Sequence, residues 1–180
     1  MLTLVLGGAR SGKSRFAQSL CAGGERVAYI ATARPEDDEM VERIERHRRN
    51  RSSSWLSVEE PLAIADAVER CARDCDFILL DCLTVWLSNV LWAHRTETSV
   101  ERLRLEAAKH LTRLPRAARS TNLVVVTNEV GSGVVPVSDV GRRFRDLQGW
   151  LNQDAAALAD SVYLVVAGIP LRIKPREAGA

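Results

Sequence analysis

Short apolar runs recur along the chain, each the length of a buried strand and each bounded by polar or glycine-rich residues. They occupy residues 2–6, 26–32, 77–81, 122–127 and 161–167. Trp55-Leu56-Ser57-Val58-Glu59-Glu60 predicts one more short strand. Between the runs the apolar spacing becomes helical. Residues 15–20 read as the first turns of a helix, and residues 61–72 carry Leu62, Ala65 and Val68 on one face. Residues 83–92 are apolar and helical, with Trp86 and Trp92. Residues 96–119 predict one long helix with Leu103, Ala107, Leu111 and Leu114 inward, and residues 140–158 another with Phe144, Leu147, Leu151 and Ala155. Gly168-Ile169-Pro170 turns the chain, so that Leu171-Arg172-Ile173-Lys174 pairs back as an antiparallel edge strand; the tail from Pro175 frays. Strands alternating with helices predict an α/β fold with a mostly parallel sheet, an antiparallel C-terminal edge strand, and a single domain over residues 1–180.

The first strand runs into Gly7-Gly8-Ala9-Arg10-Ser11-Gly12-Lys13-Ser14, which fits the phosphate-binding P-loop G-x-x-x-x-G-K-[ST]. A strand precedes it and a helix follows, as the motif requires. Gly7 and Gly12 let consecutive N–H groups face a phosphate, and the helix opening at Lys13 adds its positive end. Lys13 reaches the β- and γ-phosphates, and the Ser14 hydroxyl suits Mg2+. Strand, P-loop helix and second strand form a βαβ unit with parallel strands. Phe77-Ile78-Leu79-Leu80-Asp81 has the Walker B form, which places Asp81 beside the P-loop as a second candidate ligand for Mg2+.

Pro35 with Glu36, Asp37 and Asp38 makes a helix start, after which Met40, Ile44 and His47 share one face. Arg43, Arg46, Arg48, Arg49 and Arg51 surround His47. Two readings stay open on spacing: a face-covering histidine with solvated arginines, or a polyphosphate site in which like charges keep the imidazole neutral and nucleophilic. Asn128-Glu129-Val130-Gly131-Ser132-Gly133-Val134-Val135-Pro136, after the fourth core strand, suits either a shaped loop over a site or a structural turn.

Composition narrows the classes. The chain has 180 residues, 46% hydrophobic and 27% charged, ordinary for a globular protein. A net charge of +2 argues against strong non-specific nucleic-acid binding. No apolar run reaches the ~18 residues of a membrane span and no signal peptide precedes the first strand, so a cytoplasmic location is expected. Cys21, Cys71, Cys75 and Cys82 form no paired C-x-x-C motif and read as reduced, non-ligand thiols.

The sequence resembles the bifunctional adenosylcobinamide kinase/adenosylcobinamide-phosphate guanylyltransferases of cobalamin biosynthesis. The similar segments are the P-loop, Tyr29-Ile30-Ala31-Thr32-Ala33, Asp37-Asp38-Glu39-Met40 with Arg43-Ile44 and His47-Arg48, Leu80-Asp81-Cys82-Leu83-Thr84, residues 127–136, and Phe144-Arg145-Asp146 with Asn152-Gln153. The resemblance implies a three-layer, RecA-like P-loop NTPase fold, a homotrimer, ATP or GTP and Mg2+ as cofactors, and a corrinoid substrate. It implies that the corrinoid's hydroxyl is phosphorylated and that GMP is then transferred from GTP through a guanylyl-histidine at His47. Nucleotide contacts are implied at Ala31, Thr32, Ala33, Arg48, Arg49, Asn50, Arg51, Glu59 and Asp81. Two other classes compete: a small-metabolite P-loop kinase with a structural His47, and a regulatory GTP-binding module. The guanine-reading N-K-x-D motif is absent, which counts against the second.

Overall fold

The computed structural model describes residues 1–34, 42, 52–97 and 99–174. Seven strands form one sheet: β1 (Leu2–Gly7), β2 (Val27–Ala31), β3 (Leu56–Glu59), β4 (Phe77–Asp81), β5 (Asn122–Asn128), β6 (Ser161–Val166) and β7 (Ile169–Lys174). Their order is β3-β2-β4-β5-β1-β6-β7, parallel throughout except for the β6–β7 pair. The helices are α1 (Lys13–Cys21), α2 (Ile64–Cys71), α3 (Leu83–Ala93), α4 (Val100–Leu111), α5 (Leu114–Ala117) and α6 (Asp139–Leu158).

Alternation along the strands divides the core in two. Val5, Tyr29, Leu79, Val124 and Val126 pack with Ala17 and Cys21 of α1. Leu4, Leu6, Ile30, Leu80 and Val125 face the other way, against side chains from α2, α3, α4 and α6. The result is three layers around a sheet whose inner strands are apolar on both faces, as parallel sheets require. Trp86 is fully buried, its indole N–H donating to Leu62 O at 2.9 Å, whereas Trp92 is 64% exposed.

Several predicted boundaries move for physical reasons. The βαβ strands β1 and β2 are parallel but not neighbours, because β4 and β5 lie between them. The predicted helix over residues 96–119 is two helices: the Ser99 hydroxyl caps α4 by accepting from Arg102 N at 3.3 Å, and Pro115, with no N–H to continue the ladder, sits in the first turn of α5. Helix α2 begins at Ile64 rather than residue 61, because Glu60 Oε1 takes the Leu62 and Ala63 amides and holds residues 60–63 as a turn. The edge strand begins at Ile169, after a two-residue turn in which Ala167 and Gly168 both have positive φ. The helix predicted from Pro35, with Met40 and Ile44, lies outside the described residues.

Candidate active site

The carboxyl end of β1 turns at once into the P-loop. Arg10 (φ 56°) and Gly12 (φ 93°) take left-handed backbone, which folds Ser11 back over Gly7. A Cβ on Gly7 would lie 2.4 Å from Ser11 Oγ and 2.7 Å from Val165 O, so only glycine fits there. Ser11 Oγ is buried and has no hydrogen-bond partner. An orphaned buried hydroxyl in a loop of P-loop sequence is a group that awaits an acceptor, and phosphate oxygen supplies one. Lys13 is 9% exposed, and its ammonium donates to Gly8 O at 3.1 Å across the mouth of the loop.

The loop is braced from the edge of the sheet. Gly168 N donates to Ser11 O at 2.8 Å, and a Cβ on Gly12 would come 3.1 Å from Gly168 Cα. The β6–β7 turn therefore supports the P-loop. The sequence marked that turn through Gly168 but gave no sign of its contact.

Glu59, Ala31 and Asp81 stand in one row across β3, β2 and β4, since Ala31 pairs with both of the others. Asp81 shares the α1 face of the sheet with Tyr29 and Leu79, and Tyr29 Oη donates to Asp81 Oδ2 at 2.9 Å. Asp81 is not on the strand beside the P-loop, as its Walker B form had suggested: β5 intervenes, which puts β4 about 10 Å from β1 at the usual strand spacing. Helix α1 spans that gap by packing on both β4 and β5. Asp81 Oδ1 and the Ser14 hydroxyl have no partners among the described residues. Two oxygen donors of this kind fit Mg2+.

Thr32 is fully buried and commits all its polar groups to the protein. Its hydroxyl donates to Cys82 O at 2.8 Å and accepts from Cys82 N at 2.9 Å. Its amide donates to Asp81 O at 3.2 Å, and its carbonyl accepts from Asn89 Nδ2 at 2.8 Å. The exits of β2 and β4 are thereby locked together one residue beyond Asp81. Burial pushes the Cys82 thiol up to about 11, with the Asp81 charge adding to it and Lys13 opposing. Ala33 follows Thr32 in the same exit, half-buried. His47, Arg48, Arg49, Asn50 and Arg51 lie outside the described residues.

A second set of polar residues was not read from the sequence as a site. Gln148 and Asn152 of α6 are buried inside an otherwise apolar face. Thr127 Oγ1 donates to Asn152 Oδ1 at 2.7 Å, and Gln148 Nε2 lies 3.0 Å from Thr127 Oγ1 and 2.8 Å from Asn152 Oδ1. Asn152 Nδ2 then donates to Asn128 O at 3.0 Å, while Asn128 N donates to Thr84 Oγ1 at 2.8 Å. The available signal was a polar pair at i, i+4 running beside the Leu147–Leu151 stripe. Glu129 closes the loop after β5: its amide donates to Gly7 O at 3.1 Å and its Oε1 accepts from Gly131 N at 2.6 Å.

A family model described as cobinamide kinase / cobinamide phosphate guanyltransferase matches residues 3–173. The chain is 42% identical over 175 residues to the bifunctional adenosylcobalamin biosynthesis protein CobP of Pseudomonas aeruginosa, covering 97% of this chain and 98% of that one. It is 39% identical over 181 residues to the bifunctional adenosylcobalamin biosynthesis protein CobU of Escherichia coli K12, covering 97% and 100%. Among solved structures, it resembles a KaiC-like protein from Pyrococcus horikoshii (TM-score 0.53, 14% identity, 98% of this chain and 79% of that one). It also resembles a type III secretion ATPase (TM-score 0.59, 10% identity, 91% and 50%). These two likenesses, with the P-loop at the end of β1, show a P-loop NTPase fold.

Proposed function

Because the chain belongs to the cobinamide kinase / cobinamide phosphate guanyltransferase family, we propose that it runs two transfers on one corrinoid arm, within a single domain. In the first, ATP or GTP phosphorylates the hydroxyl of adenosylcobinamide. In the second, adenosylcobinamide phosphate receives GMP from GTP, giving adenosylcobinamide-GDP and pyrophosphate. The observation that carries the phosphate chemistry is the unpartnered Ser11 hydroxyl, buried in a P-loop cradle whose lysine already bridges the mouth.

Each residue has a role in this reading. The amides of Gly7, Gly8, Ala9, Arg10, Ser11 and Gly12 hold the β- and γ-phosphates, with Lys13 balancing charge as it builds on the transferring group. Ser14 and Asp81 hold Mg2+, which when bound neutralises phosphate charge; Tyr29 orients Asp81. Ala31, Thr32, Ala33 and Glu59, at the exits of β2 and β3, border the nucleotide. Thr32 acts there through backbone geometry, since its hydroxyl is already engaged. An imidazole nitrogen of His47 attacks the α-phosphorus of GTP: the N–P bond forms, the P–O bond to the β-phosphate breaks, and pyrophosphate departs. A phosphate oxygen of the corrinoid then attacks the same phosphorus and breaks the N–P bond. Arg48, Arg49, Asn50 and Arg51 offer charge and hydrogen bonds to the incoming and leaving phosphates.

The same reading places the enzyme in the cytoplasm as a homotrimer. No helix among the described residues is long and apolar enough to cross a membrane. Exposed Trp92, Val134, Val137 and Val140 offer apolar surface for self-association.

The test is a paired assay on one preparation. With GTP labelled at the α-phosphate, the parent protein is expected to form an acid-labile covalent adduct. His47→Ala is expected to lose the adduct and the second transfer while keeping phosphorylation of adenosylcobinamide. Retention of the adduct in the folded variant refutes the assignment, as does equal loss of both activities with an altered circular-dichroism spectrum.

A further inference from the structure

We propose that Asn128 reads the terminal phosphate of the bound nucleotide: its carboxamide N–H donates to a γ-phosphate oxygen and follows that oxygen through the transfer. The proposal rests on the kinase reading only for the identity of the transfer; the phosphate contact stands on geometry.

Strand alternation sets the direction of the side chain. Val124 and Val126 pack into the core shared with α1, whereas Thr127 points to α6. Asn128, two residues past Val126, therefore faces α1 and the P-loop. Its register partner is Gly7, the first residue of the P-loop, on the adjacent strand about 5 Å away. On its other side is β4, where Val126 pairs with Asp81, also on the α1 face. Asn128 thus lies between the phosphate cradle and the candidate Mg2+ ligand, on the one strand that separates them.

Its backbone is held and its side chain is not. The N–H donates to the Thr84 hydroxyl at 2.8 Å, and the carbonyl accepts from Asn152 at 3.0 Å. Thr84 and Asn152 are both buried. Thr127 and Gln148 tie the assembly together. The carboxamide itself makes no hydrogen bond among the described residues. A fixed backbone carrying a half-buried, unpaired amide at the edge of an anion cradle is a preorganised donor. Beside it, over Gly7, sits Ser11 Oγ, the buried hydroxyl that also lacks a partner. The two unsatisfied groups border the same space.

A donor aimed at the γ-phosphate distinguishes triphosphate from diphosphate, and that discrimination is measurable without the corrinoid. The experiment compares the affinity of the parent protein and of Asn128→Ala for a non-hydrolysable nucleoside triphosphate and for the diphosphate, by calorimetry, with melting temperature as the fold control. Asn128→Ala is expected to weaken triphosphate binding about tenfold and leave diphosphate binding within twofold. Kinase turnover is expected to fall by ~10²-fold, the usual loss for one transition-state donor. Asn128→Ser, which keeps a short donor, should recover part of the discrimination. An unchanged triphosphate-to-diphosphate ratio in folded Asn128→Ala overturns the proposal, as does parallel weakening of both ligands. If the parent protein fails to phosphorylate adenosylcobinamide, the functional reading falls, while the affinity ratio still decides the role of Asn128.

Discussion

Replacing Thr32 with valine tests whether the lock between the exits of β2 and β4 organises the site. Valine keeps the shape and removes the hydroxyl, so the change is not neutral even though the volume is. That hydroxyl serves two buried backbone groups, the carbonyl and the amide of Cys82, at 2.8 and 2.9 Å, and Thr32 itself has no exposed surface. The Cys82 carbonyl keeps a second donor, the Trp86 amide at 3.1 Å, so valine orphans only the Cys82 amide, at a cost of about 1–3 kcal/mol. For a chain of this size ~1 kcal/mol moves the melting temperature by about 2–4 °C, so Thr32→Val should melt about 2–12 °C below the parent. Thr32→Ser retains the hydroxyl and should recover most of the loss. Since Cys82 follows Asp81 directly, the valine variant should also need more magnesium for half-maximal turnover. Calorimetry and a magnesium titration read the two effects. A melting temperature within ~1 °C of the parent would show that the Cys82 amide finds another partner and that the lock is incidental.

Three further outcomes are expected. Lys13→Ala should lower kinase turnover at least ~10²-fold in a folded protein, as loss of charge stabilisation at the transferring phosphoryl group predicts; near-normal turnover would remove that role. Asp81→Asn should shift the magnesium dependence and leave the fold intact, and a titration that overlays the parent would make the aspartate purely structural. Burial pushes the thiols of Cys21 and Cys82 up to about 12 and about 11, so the native state keeps protons that the unfolded chain releases from about pH 8.5 upward. Stability is therefore whole below pH 8 and is lost as pH rises through that window, by about 2 kcal/mol per thiol at pH 10. Denaturant midpoints at pH 8 and pH 10 check this: a parent whose midpoint falls no further than that of Cys21→Ser would clear the Cys21 thiol of the effect.

The elements of this fold were legible because strand and helix announce themselves through local spacing. Leu2–Gly7 is buried from end to end, and a short apolar run is the sequence form of such a strand. The P-loop was legible for a different reason: its glycines are demanded by sterics within eight residues, as the clash that a Cβ on Gly7 would make with Ser11 Oγ shows. Strand order was not legible. Nothing local to β5 states that it inserts between β1 and β4, and so Asp81 reads from sequence as the P-loop's neighbour when it is one strand further away. The split between α4 and α5 could have been read from Pro115, but the apolar period continues through Leu111 and Leu114 and conceals it.

The Thr84–Thr127–Gln148–Asn152 cluster shows where reading by hydrophobic pattern stops. A periodicity argument places polar residues on the surface, and by that rule Gln148 and Asn152 belong to the solvated side of α6. In the fold both are buried where β5 ends: Asn152 supplies the donor that the Asn128 carbonyl needs away from the ladder, Thr84 accepts from the Asn128 amide, and Gln148 donates to Thr127 Oγ1 and Asn152 Oδ1. Apolar side chains there would leave that backbone unpaired, at a cost comparable to the burial they gain. The polar residues therefore belong to the core for the same reason that leucines do: they are what the neighbouring surface requires. Their effect is to fix the one strand end that stands between the phosphate cradle and Asp81.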